Sequence, residues 1–400
     1  MNQINKAGFI LATDTRIWFL QLLRALAILL VVFSHTGLNF WCANNLYSTG
    51  LHVNPLKDFI PPFYISQLCQ LENSLHCDIG IIGAAIFFIV SGFVIPISIK
   101  KYGSFFFLIA RYFRIFPTYA IALALIALIS AIYCWVTHAQ FPYSAHEFVW
   151  SFSLINMNLP HGFIDPVIWT LQIEVEFYLL AAVIATVSSL EKFSAILVTA
   201  ILLWIASDMV INPHNFLSPL IGLLIGSSSS LIFILIGTAF YNYYERIWSL
   251  KQFIIGATVL YLLFIAAVQS IGPKAVVEIS YSVGLLIFLL VFSFREAFVK
   301  NWYMNWIGEI SYPLYLIHNI FGGILITLLF AIMPNMYLSG IIAMCLILFV
   351  STVVHYAIEQ PGTNFGKSFI KLPNRKLGKQ YESGLTGKTE AVASTVLLPR

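Results

Sequence analysis

The sequence predicts an all-α fold: a polytopic transmembrane helical bundle of about ten spans, with both termini cytoplasmic. Three observations carry this. The chain is 60% hydrophobic and 16% aromatic but only 10% charged, too little polar surface to clothe a soluble globule of 400 residues. Its apolar runs recur at roughly the 20-residue length needed to cross a hydrocarbon layer. With a cytoplasmic N-terminus, every Lys and Arg falls on the cytoplasmic side except Lys57, Lys274 and the intramembrane Arg24, which is the asymmetry of the positive-inside rule. The net charge of +4 matters less than this placement.

Residues 1–16 form a short cytoplasmic N-terminus with Lys6 and Arg16 and no small-residue cleavage site behind the apolar run, so no removable signal peptide is expected. The transmembrane domain follows, residues 17–360. Its first span, 20–35, takes Arg24 and His35 into the bilayer, where ionisable side chains are costly without a partner or a task. Eleven residues are almost a whole number of turns, so the two share a face roughly 16 Å apart along the axis. Residues 40–78, with Asn44, Asn45, Asn54, Pro55, Pro61 and Pro62, turn polar and read as an outer loop. A second span is expected at 79–99 and a third ending near Val136, behind Lys100, Lys101, Arg111 and Arg114. A second outer loop, 138–166, holds Pro142, His146, Glu147, Pro160, His161 and Asp165.

The remaining spans are placed at 167–187, 193–211, 216–240, 253–271, 279–294, 306–333 and 336–358, the sixth interrupted by the serine run 227–230. Pro313 places a kink in the ninth, and Pro361 stops the tenth. Residues 361–400 form a basic to polar cytoplasmic tail suited to anionic headgroups, its end disordered. Cys42, Cys69 and Cys77 lie in the first outer loop, where one disulfide can persist, and no ligand spacing supports a metal site.

Several residues can carry chemistry. His35, near the outer end of its span, can take a proton from a hydroxyl and return it near neutral pH, or can simply hydrogen-bond between helices. Arg24 can hold a phosphate or carboxylate bidentately, or pair with a membrane carboxylate such as Glu174. Glu174 and Tyr178, four apart, share a helix face and can orient an imidazole or bind an acceptor hydroxyl; Glu176 points elsewhere. Arg111 and Arg114 share a face where cytoplasmic water ends, as phosphate grips or as ordinary membrane anchors. Ser91-Gly92 forms a notch for close helix packing or for a thin ligand.

In order along the chain these motifs are Leu20-Gln21-x-Leu23-Arg24-Ala25-x-Ala27 with His35, Phe87-Phe88-x-x-Ser91-Gly92-Phe93 and Arg111-x-x-Arg114-Ile115-x-Pro117. Trp169-Thr170-Leu171-x-x-Glu174-x-x-Phe177-Tyr178, Ser311-Tyr312-x-Leu314-Tyr315-Leu316-x-His318 and Ile358-Glu359-x-Pro361 complete the set. Together they resemble the membrane acyltransferase-3 family, bacterial integral-membrane proteins that acylate sugars of surface polysaccharides, lipid-linked glycans and related acceptors. Ala110 and Gln21 depart from residues common in that family, an arginine and an aspartate. The hydrolase-like domain that some relatives append is not expected in this chain, which would complete any transfer with its membrane domain or a partner.

The resemblance implies an O-acyltransferase of the bacterial inner membrane. It would move an acyl group, acetyl first, from cytosolic acyl-CoA to a sugar hydroxyl of a surface polysaccharide or lipid-linked glycan on the periplasmic side. It implies His35 as catalytic base with Glu174 supporting the site, and Arg24, Arg111, Arg114 and Ser91 engaging the coenzyme A. Tyr178 and Trp169 are candidate acceptor or oxyanion contacts. The outer loops, aromatic and Asn-rich, would select the acceptor. Acetyl-CoA is expected as co-substrate, with no metal and no nucleic acid. A multi-span transporter or flippase of lipid-linked saccharides is the alternative, though the two halves show no self-similarity of the kind transporters carry.

Overall fold

A computed structural model describes residues 4–57, 59–154, 163–210, 227–270 and 274–370. Among these the chain is helical and contains no strand. Helix α1 (Ile4–Val32) passes into a π-helical turn (Phe33–Asn39) and the single turn α2 (Phe40–Cys42). The first outer loop is itself folded, holding α3 (Asn44–Gly50) and α4 (Phe63–Leu75), and a disulfide joins Cys42 to Cys69. Cys77 stays free, half-buried beside Ser280.

Two long helices follow, α5 (Ile79–Tyr102) and α6 (Ser104–Thr137). Asp78 starts α5 by accepting from the Ile81 amide, and Lys100 and Lys101 sit in its last turn, where the carbonyl end of the helix dipole favours cations. The two helices meet at Gly103, whose φ of 74° suits a residue without Cβ. The second outer loop carries α7 (Ala145–Ser153), started by a Ser144–Glu147 capping box. His161 and Pro160 lie outside the described residues.

Beyond it come α8 (Trp169–Val187), α9 (Phe193–Val210), α10 (Ser228–Tyr244), α11 (Leu250–Ser270) and α12 (Ala275–Ser293), then α13 (Trp302–Ile317), α14 (Ile320–Ile332) and α15 (Met336–Val354). Among the described residues seven helices are long and apolar enough to cross a membrane, and α13 with α14 makes an eighth span if counted as one. Helices α9 and α10, of 18 and 17 residues, stand where the fifth and sixth spans are expected. The joint between them, residues 211–226, lies outside the described residues.

Helix α5 is the hub, packed against α1, α8, α10 and α12. Lipid tails supply no hydrophobic drive between helices, so close contact depends on small side chains. A Cβ on Gly83 would stand 2.6 Å from the Ala27 carbonyl oxygen of α1, and one on Gly92 would stand 1.9 Å from the Ile234 carbonyl oxygen of α10. The Ser91-Gly92 notch therefore divides its roles: Gly92 packs on α10, while Ser91, a hundred degrees round the helix, faces α8.

Two expectations about prolines meet the structure differently. The sharp break of the ninth span is not at Pro313, which lies inside α13, but at His318–Asn319, where α13 and α14 diverge by 76°. The break is held by side chains. Asn319 donates to Asp165 Oδ1 at 2.7 Å and accepts from the Tyr47 hydroxyl, tying the break to both outer loops. Nor does the tenth span stop at Pro361. A π-helical turn, His355–Glu359, widens the backbone just before it, and the helix runs on to Ile370 with Gly362, Phe365 and Phe369 against Phe113.

Candidate active site

The bundle has a basic end, marked by Lys100, Lys101 and the arginines of α6, and a loop end, marked by residues 40–78 and 138–166. At the basic end an open vestibule of about 1210 Å³ is lined by polar and charged groups that include Gln21, Ser98, Glu309, His355, Glu359 and Lys367. Deeper lies a second cavity of about 790 Å³, walled mainly by Phe87, Phe88, Leu171, Tyr312 and Tyr315. Arg24, Val94, Arg111 and Arg114 line both, so the two spaces adjoin across a ring of three guanidinium groups.

Each arginine is set differently. Arg24 Nη2 donates to Ser311 Oγ of α13 at 2.9 Å, and among the described residues no ion pair joins it to Glu174. Arg111 lies between the rings of Phe107 and Tyr178, its guanidinium carbon 5.3 and 5.0 Å from their centroids, and donates to Ser98 Oγ at 3.0 Å. That sandwich uses the flat, weakly hydrated guanidinium and leaves its edge for a ligand. Arg114 Nε stands 3.6 Å from Glu359 Oε1, and Glu359 Oε2 is 2.7 Å from His355 Nδ1. His355 and Glu359, four apart, share a helix face within the π turn, a feature often found at sites of function. Three guanidinia facing two cavities, with Lys367 on the outer rim, suit phosphate groups at the mouth and an apolar ligand arm inside.

Glu174 projects from α8 into the inner cavity and takes hydrogen bonds at one oxygen from Ser91 (3.0 Å) and Tyr178 (2.5 Å). Ser91 and Tyr178 therefore both donate to Glu174, and among the described residues neither Glu174 nor Tyr178 meets an imidazole. Tyr178 is buried behind Glu174 and Arg111 and does not line the cavity. Trp169, first residue of α8, packs edge-on against Phe88.

His35 sits at the loop end, inside the π turn that follows α1. Its Nδ1 is 2.8 Å from Nε2 of His318 at the end of α13, and the two ring planes differ by 5°. A file of rings leads from the inner cavity to this pair: Phe87 meets Tyr315 at 6.0 Å, and Tyr315 meets His318 at 5.6 Å. The Tyr315 hydroxyl is held by Thr170 (2.7 Å) and by the Val167 carbonyl (2.9 Å). Arg24 and His35 thus both bond to α13, at Ser311 and His318, about two turns apart.

His318 is the residue that sequence reasoning passed over. It stands in the quoted Tyr315-Leu316-x-His318 motif, but nothing local to it signals a partner 283 positions away. Among the described residues no group of His, Cys, Asp or Glu is arranged to hold a metal ion.

No curated protein and no solved structure matches the chain. Residues 17–359 match the family model described as an acyltransferase domain, a stretch that takes in the arginine ring, Glu174 and both histidines, and the chain belongs to the membrane acyltransferase-3 family.

Proposed function

We propose that this multi-pass acyltransferase is an O-acyltransferase of the bacterial inner membrane. In this reading it takes an acyl group, acetyl first, from cytosolic acyl-CoA and delivers it to a sugar hydroxyl on the periplasmic side. The observation that carries the reading is that the arginine-ringed vestibule and the inner cavity share Arg24, Val94, Arg111 and Arg114 in their walls, and that the far wall of the inner cavity is one ring away from the histidine pair. Arg24, Arg111 and Arg114 bind the phosphates of coenzyme A, with Lys367 adding charge at the rim. The pantetheine arm enters between Ser91, Phe87 and Tyr315. Glu174 offsets the charge of the arginine ring and holds Ser91, rather than orienting the base.

His35 accepts the proton of the acceptor hydroxyl as its oxygen attacks the thioester carbonyl. The carbon–sulfur bond breaks, a carbon–oxygen bond replaces it, and the imidazolium returns the proton to the departing thiolate. Ester and free coenzyme A are the products, and no covalent enzyme intermediate is needed. The loop end offers the acceptor an open cleft beside the disulfide, lined by Trp41, Asn44, Asn45 and Phe59, an aromatic and amide surface suited to a sugar. The absence of self-similar halves disfavours the transporter alternative.

The test compares transfer from labelled acetyl-CoA to cell-surface glycan in membranes carrying the native chain or His35→Ala at matched protein levels. Label that depends on the native histidine supports the reading. Equal transfer by both removes His35 as base, and no transfer by either brings the transporter forward.

A further inference from the structure

The histidine pair can be assigned hydrogen by hydrogen. His318 Nδ1 lies 2.8 Å from the Tyr315 carbonyl oxygen and 3.2 Å from that of Leu314. Carbonyl oxygens only accept, so Nδ1 carries the hydrogen. A neutral imidazole has one N–H, which leaves His318 Nε2 with its lone pair. That nitrogen is 2.8 Å from His35 Nδ1, and two ring nitrogens at this distance need one hydrogen between them. His35 Nδ1 must therefore donate, and the nitrogen left bare is His35 Nε2.

We infer that His318 is a positioning residue that locks His35 in the tautomer whose Nε2 is free to take a proton from the acceptor hydroxyl. The inference rests on the reading of His35 as the base. The break in the ninth span supplies the means. Where α13 ends, the Tyr315 carbonyl meets the side chain of His318, and Asn319, tied to Asp165 and Tyr47, fixes the backbone beyond.

When His35 Nε2 gains its proton, Nδ1 keeps its own and still donates to neutral His318. The positive charge then faces the carbonyl end of α13, the negative pole of that helix. The charged groups around the pair are Asp78, which caps α5 beside Ser34 and acts on His35, Asp165, which accepts from Asn319 next to His318, and Arg24, which is engaged by Ser311 further down α13. Without His318, His35 Nδ1 has no acceptor, and the ring can carry its hydrogen on Nε2, where it blocks the base. A wrong tautomer with the geometry otherwise intact is costly in other enzymes that hold a histidine this way.

The experiment is 15N NMR of histidine-labelled full-length protein in lipid nanodiscs, with His35 assigned by its loss in His35→Gln, run alongside acyl-transfer kinetics. The native ring is expected to show Nδ1 protonated and Nε2 bare at neutral pH. In His318→Ala the hydrogen redistributes towards Nε2. In that variant kcat falls about 100-fold or more while the KM for acetyl-CoA holds. His318→Gln, whose amide oxygen can accept from Nδ1–H, restores the native tautomer and at least about a tenth of the native rate.

A native His35 protonated on Nε2 overturns the proposal, and so does an unchanged His35 tautomer in His318→Ala. Should His318→Ala fail to fold, the native spectrum and the Gln variant still decide. A native spectrum as expected in a protein that transfers no acyl group leaves the positioning role standing and removes the function it was meant to serve.

Discussion

The two ends of the proposed acyl path are built on opposite plans. At the basic end three guanidinia ring a wide opening, each lining it while held from a different helix or ring pair. At the loop end two imidazoles meet at 2.8 Å and are braced in turn by helix carbonyls, by Asn319 and Asp165, and by a disulfide in the loop above. A long, jointed, charged donor needs room and several independent grips, whereas proton transfer needs one atom held to within a few tenths of an ångström. The contrast teaches where single changes should be tolerated and where they should not.

The largest effect is expected at the loop end. His35→Ala should slow transfer by between about 100- and 10,000-fold while leaving acetyl-CoA binding by calorimetry within about twofold. Weakened donor binding in that variant would mean that the two ends are not separable. Next is the brace itself. The Cys42–Cys69 bridge closes a loop with a sequence separation of 27, so replacing both cysteines by serine should lower stability by roughly 3 to 4 kcal/mol, read as a lower unfolding midpoint in detergent.

Close behind comes a pH effect. Burial pushes the Asp165 carboxyl up to about 6 from its ordinary 3.8, despite hydrogen bonds from Asn319 and the Val167 and Ile320 amides. Between those values the folded chain holds a proton that the unfolded chain has lost, so stability is full below about 4 and falls as pH rises to about 6. The fall should amount to about 3 kcal/mol, and Asp165→Asn should flatten it in pH-dependent melting.

The smallest effect is expected at the basic end. Arg111→Lys loses the flat group held between Phe107 and Tyr178, yet two other guanidinia remain. The KM for acetyl-CoA should rise roughly tenfold with kcat little changed. A collapse of kcat instead would show that this end is as exacting as the other.

Much of this was legible in the sequence for physical reasons. Bilayer thickness fixes the length of an apolar run, which is why the spans are readable, and the cost of burying charge singles out Arg24, His35 and Glu174. Arg24, Arg111, Arg114, Glu174 and Ser91 all line the inner cavity, and the three arginines line the adjoining vestibule as well. What stayed hidden depends on partners far away in the chain. The His35–His318 bond, the choice of Cys69 over Cys77 for Cys42, and the break at Asn319 set by Asp165 all join residues that no local pattern connects. The two π turns were equally hidden, since a single extra residue in a helical turn leaves the apolar pattern almost unchanged. The second of them is why Pro361 does not end its helix.

In the proposed reaction acyl groups enter at the arginine ring and leave at the histidine pair, across the membrane. Oriented proteoliposomes, with labelled acetyl-CoA confined to the Arg111 side and a glycan acceptor to the His35 side, test it most directly. Label is expected on the acceptor across the membrane and is expected to be lost in His35→Ala. Transfer only to acceptors placed on the same side as the donor would contradict it.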